Sequence, residues 1–139
     1  FLRTMLRLAG EREHLRVVAD QFGAPTSDRL IADVTAQLLG RQAAGGESPA
    51  GVYHLAAAGR TSWYDYASFI VETARALPTL AQSLKVKTIE AIPASDYPLP
   101  AKRPANSCFD CGKLERTFGL HLPPWQHGVA LCVAELAAR

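Results

Sequence analysis

The sequence has little cysteine and little surplus charge. Three cysteines, Cys108, Cys111 and Cys132, among 139 residues are too few and too odd in number for a disulfide scaffold, which points to a reducing compartment, the cytoplasm. Fifteen lysines and arginines face 13 aspartates and glutamates, a formal +2, and the basic residues are scattered. Binding along a nucleic-acid backbone is therefore not expected. No apolar run approaches the ~20 residues of a membrane span, and the opening FLRTMLRLAGEREH carries charges where a signal peptide needs an apolar centre. A P-loop, a G-x-G-x-x-G turn and a G-x-S-x-G elbow are all missing, so no Gly-rich phosphate cradle and no hydrolase nucleophile can be read. An initiating methionine is missing too, and Phe1 already lies on an apolar helical face, which points to a chain that begins partway through a larger protein.

What is present suits a single domain over residues 1–139, with 48% hydrophobic and 20% charged residues. Phe1, Leu2, Met5, Leu6 and Leu8 recur at helical spacing, which predicts a helix to about Glu11. If the chain is made alone, the face of Phe1, Leu2, Met5 and Leu6 is expected to be exposed and to drive self-association. His14 to Ala19 reads as a strand. After the Asp20–Thr26 turn, Thr26 or Ser27 caps a helix with Leu30, Ile31, Val34 and Leu38 on one face, ending at Gly40. GRQAAGGESPAG is a loop, and Val52 to Ala56 a second strand. Thr61 or Ser62 caps a helix from Trp63 to Leu77, and Lys85 to Ile92 alternates like a half-buried strand. Pro93, Pro98, Pro100 and Pro104 then preclude regular structure. Lys113 to Phe118, ended by Gly119, and Trp125 to Ala138, opened by Pro124, complete the helices. Alternating strands and helices make the class α/β, a small mixed sheet with parallel pairing wherever a helix supplies the crossover. So few strands would ordinarily be extended by strands from elsewhere.

Cys108-Phe109-Asp110-Cys111 has the spacing of a redox or metal pair, but a structural zinc needs four ligands, and His121 and His127 lack the spacing to complete one. The thiols read as small buried or edge residues. His54, in its presumed strand, reads as a hydrogen-bonded structural histidine, and Trp63, Tyr64, Tyr66 and Phe69 as core and boundary. Two loops stand out. In DQFGAPT, backbone N–H groups and the Thr26 hydroxyl sit at a helix N-terminus, which accepts anionic or polar groups or is simply a tight turn with its cap. In Pro100 to Ser107, Arg103 is held between prolines, either as a preorganised bidentate clamp for a diphosphate or as a solvated basic loop.

These loops belong to an ordered set of four blocks: VADQFGAPT (Val18–Thr26), Y-H-L-A-x-x-G…T-S-W-Y-D-Y-A (Tyr53–Ala67), R-P-x-N-S (Arg103–Ser107) and L-P-x-W (Leu122–Trp125). Together they resemble the C-terminal half of the dTDP-4-dehydrorhamnose reductases, in the extended short-chain dehydrogenase/reductase superfamily, over essentially Phe1 to Leu136. The resemblance implies the substrate-binding portion of a Rossmann-type enzyme that reduces dTDP-4-dehydro-L-rhamnose with NADPH or NADH. It implies Gln21, Gly23, Thr26, Arg103 and Asn106 as substrate-binding residues and a dTDP-sugar as ligand. In that family the Gly-rich nucleotide turn and the catalytic Tyr-x-x-x-Lys pair lie in the N-terminal half, which is absent here. Tyr64 and Tyr66 are followed four residues on by Ser68 and Ile70, not lysine. The chain is therefore expected to be inactive alone and to act with its own N-terminal half. Some family members use magnesium or pair as homo-oligomers, but no compact carboxylate cluster supports a metal. The alternative is a non-catalytic regulatory or binding subunit of the same fold.

Overall fold

The structure, a computed structural model, describes residues 1–46, 49–97, 101 and 103–138. Pro98, Pro100 and Lys102, on the proline-rich loop, lie outside the described residues. Helix α1 (Leu2–Glu11) buries Leu2, Met5 and Ala9, the stripe set by its three- and four-residue spacing. That stripe packs against α3 (Trp63–Arg75), which buries Ala67, Ile70, Val71 and Ala74 and also meets α6 (Trp125–Ala137). From α6 come Trp125, Val129 and Val133. The face expected to be exposed at the start of the chain is therefore mostly covered: Leu2 and Met5 are core residues, and Phe1 alone of that set is largely open, at 48%.

Strand β1 (His14–Val18) alternates exposed and buried, with Leu15 and Val17 turned into the core. It pairs in parallel with β4 (Thr88–Ile92) in the register Leu15 with Ile89 and Val17 with Ala91. The crossover between them contains α2 (Asp28–Ala43) and α3, as parallel pairing requires. β4 is shorter than the alternation from Lys85 predicts, because the Lys85 and Val86 amides donate to Ala9 and the Lys87 amide to Glu13, turning the chain onto the end of α1.

Four further expectations are corrected. The expected small mixed sheet is two separate two-stranded sheets: β2 (Phe22–Gly23) pairs antiparallel with β3 (Thr61–Ser62), apart from β1 and β4. Val52 to Ala56 is not a strand. Tyr53 and Leu55 instead pack on a second cluster of Val34, Leu114, Phe118 and Leu122, and the bridge in this stretch comes later, from Ala58 to Pro124. Helix α2 passes through Gly40 to Ala43, a surface glycine lowering helix stability without ending it. On α2, Val34 is buried but Ile31 is 47% exposed. Leu77 ends the run after α3 and starts a single turn, α4 (Pro78–Ala81), with proline in its first turn. α5 (Gly112–Phe118) ends at Gly119 in the left-handed region, φ 64.

Candidate functional site

Two hydrogen bonds define the site. The Phe22 amide donates to Ala105 O at 2.9 Å, and the Ser107 amide donates to Phe22 O at 2.8 Å. They form a parallel bridge between Phe22 and Asn106, while β3 occupies the other edge of β2. Phe22 thus joins the loop bearing Arg103 to the start of α3. The result is a cleft of about 390 Å³ whose lining includes Gln21, Gly23, Thr26 and Arg103, all expected site residues. Among the described residues, Arg103 is its one charged side chain, and no carboxylate lines it.

Asn106 is not in that lining. Its Oδ1 accepts the Cys108 amide at 3.1 Å, and its backbone forms the bridge to Phe22, so it holds the loop in place. Thr26 is in the lining, but its hydroxyl serves the fold: Oγ1 donates to Ala24 O at 3.0 Å and accepts the Ala57 amide at 3.0 Å. Ser27, not Thr26, caps α2, accepting the Leu30 amide at 3.2 Å. Ser62, not Thr61, caps α3, accepting the Asp65 amide at 3.0 Å while donating to the Asp65 carboxylate at 2.7 Å.

One wall is aromatic. The Phe1 ring lies 4.7 Å from Trp63 and 5.0 Å from Tyr66, and all three line the cleft. Residue spacing alone places Trp63 and Tyr66 at the core boundary; the missed feature is that β3, directly before α3, turns the first helical turn into the cleft. Burial, with Cys132 beside it, pushes the Tyr66 phenol up to about 12. Tyr66 is therefore a neutral phenol near pH 7. A catalytic tyrosine next to a lysine would shift the opposite way.

The other expected features have structural roles. Cys108 and Cys111 are both free, half-buried thiols. The Cys111 thiol points to Ala56 O at 3.8 Å. His54, expected among apolar strand neighbours, is exposed and stacks on Phe109 at 5.0 Å with the rings 3° from parallel. Among the described residues, no three His, Cys, Asp or Glu side chains gather to hold a metal, and no helix is long and apolar enough to cross a membrane. A larger groove, about 660 Å³, lies between α2 and α6 and shares Thr26 and Tyr66 with the cleft. Arg29 and Glu135 in its wall pair with each other at 3.1 Å, and it contains neither Arg103 nor Gln21.

Comparison with known proteins identifies the family of the chain. Residues 1–138 match the family described as the RmlD substrate binding domain. A dTDP-4-dehydrorhamnose reductase of Burkholderia thailandensis is 51% identical over 142 residues, which covers 100% of this chain and 47% of that protein. The Escherichia coli K12 protein of the same name is 47% identical over 136 residues, covering 98% and 44%. The crystal structure of a dTDP-4-dehydrorhamnose reductase from Clostridium acetobutylicum superposes with a TM-score of 0.80 at 29% identity, over 98% of this chain and 43% of that one. One from Bacillus anthracis, solved in complex with NADP, gives 0.79 at 29% identity, over 97% and 43%. This chain spans less than half the length of these relatives. With the fold, the loop order and the family match in agreement, the chain belongs to the RmlD substrate-binding-domain family.

Proposed function

We propose that this chain forms the sugar-nucleotide-binding part of a dTDP-4-dehydrorhamnose reductase, and that the whole protein reduces dTDP-4-dehydro-L-rhamnose with NADPH or NADH. The observation that carries this reading is the cleft, where Gln21, Gly23, Thr26 and Arg103 converge around one cationic side chain and an aromatic wall. A diphosphate suits the guanidinium, which offers paired N–H donors to two oxygens. A flat base or sugar face suits the aromatic wall.

The nicotinamide cofactor does not fit these residues. The junction from β1 into α2 has no Gly-rich turn: Gly23 is paired to Thr61, and the first turn of α2 is closed by Ser27. Binding of cofactor and protonation of the reduced oxygen are therefore assigned to the chain's own N-terminal half, and no hydride step is derived from the residues described here. Magnesium is given no role. We place the protein in the cytoplasm on the strength of its three free thiols and the nucleotide-linked substrate.

Calorimetric titration of dTDP into the natural protein that contains these residues tests the assignment. Arg103→Ala should weaken binding by about 1.5–3 kcal/mol, the loss of a charge-assisted contact. Unchanged affinity would remove Arg103 from the site.

A further inference from the structure

We propose that Arg60, just outside the lining, is a second diphosphate-binding guanidinium at the rim of the cleft, presented from the edge of β2 opposite Arg103. The proposal rests on the reading of the cleft as a sugar-nucleotide site. Arg60 immediately precedes β3, and its guanidinium carbon lies 3.9 Å from the centroid of the Phe22 ring. Phe22 lines the cleft, and its backbone holds the Arg103 loop through Ala105 and Ser107. The segments bearing Arg60 and Arg103 therefore lie on opposite edges of β2, Ser62 and Asn106 standing directly beside Phe22, and Arg60 reaches the cleft over the Phe22 ring.

The stacking geometry is the chemical argument. A guanidinium that lies face-on to an aromatic ring spends its face, leaving its in-plane N–H groups directed outward for an anion. Among the described residues Arg60 makes no ion pair and is solvent-exposed, whereas Arg7, Arg16 and Arg29 each pair with a carboxylate. No carboxylate lines the cleft to neutralise a cation there. The position of Arg60 is also fixed from behind. The Ala58 amide donates to Pro123 O at 2.9 Å, and the Trp125 amide donates to Ala58 O at 3.0 Å. Gly59 turns with φ +94, and a Cβ there would lie 3.2 Å from the Trp125 ring. The guanidinium is thus held before ligand arrives, which reduces the ordering cost of binding.

The test is dTDP titration of the natural protein containing these residues, at low and high salt, for the unaltered protein, Arg60→Gln and Arg103→Ala, with the melting temperature of each. Arg60→Gln should weaken dTDP binding by about tenfold and flatten its salt dependence, with the melting temperature unchanged. Unchanged dTDP affinity in Arg60→Gln overturns the proposal, and so does a loss that comes with a lower melting temperature and an unaltered salt dependence, since that is packing alone. If Arg103→Ala weakens binding while Arg60→Gln does not, the sugar-nucleotide reading stands and this inference falls. If the unaltered protein does not bind dTDP, both fall.

Discussion

Tyr66 shows how a single side chain records its surroundings. Its phenol is pushed up to about 12 by burial, with Cys132 adding repulsion once ionised. The folded state therefore disfavours the phenolate more than the unfolded chain does, whose tyrosines ionise near pH 10. Below pH 10 both states keep the proton and Tyr66 contributes no pH dependence. Between about pH 10 and 12 the unfolded state releases its proton first, so stability falls as pH rises. Tyr66→Phe should remove that component: the gap in unfolding free energy between variant and unaltered protein, measured by denaturant melts, should shift in the variant's favour across this window. A tyrosinate absorbance titration that places Tyr66 near pH 10 would show that the ring is solvated. Thr26 and Asn106 make a related point. Both are polar and both sit in loops singled out by their residues, yet their side chains bond to Ala24, Ala57 and Cys108. Loop identity is legible in sequence; which polar atoms stay free for a ligand depends on backbone groups that only folding brings near.

At the scale of elements, the turn from Ala58 to Ser62 links the core to the site. Gly59 is needed there on two counts, its left-handed φ of +94 and its approach to Trp125. Gly59→Ala should cost about 1–3 kcal/mol through backbone strain and crowding, visible as a lower melting temperature. It should also weaken dTDP binding, because the same turn sets β3 against β2. A melting temperature equal to that of the unaltered protein would mean that the turn relaxes freely. Helices α1, α3, α5 and α6 are readable because their stripes and end signals are local: Leu2, Met5 and Ala9 share a face, Ser62 caps, Pro124 opens and Gly119 closes. The two-residue strands β2 and β3 carry no periodicity to read, since one pair of residues has no alternation. Val52 to Ala56 shows the converse, with strand-like composition but no neighbouring strand to satisfy its backbone. The aromatic wall and Arg60 went unread as site features for the same reason, because they depend on β3 lying beside β2.

For the molecule as a whole, the proposed function divides binding and chemistry between different stretches of chain. The cleft has a cation and an aromatic wall, while Ser68 and Ile70 stand where a lysine partner of Tyr64 or Tyr66 would have to be. Tyr66, the tyrosine in the cleft, holds its proton too tightly to lend it readily. Two apolar clusters, one on α3 and the other around Phe118, are built from the described residues. Expressed alone and shown folded by circular dichroism, the chain should leave NADPH absorbance unchanged in the presence of the 4-keto sugar nucleotide. The natural protein containing it should consume NADPH under the same conditions. Oxidation of NADPH by the isolated chain would overturn the division of labour, because a proton donor would then have to exist within these residues. Binding of dTDP by the natural protein without NADPH consumption would instead favour a non-catalytic subunit, since one fold serves recognition as readily as it serves a reductase.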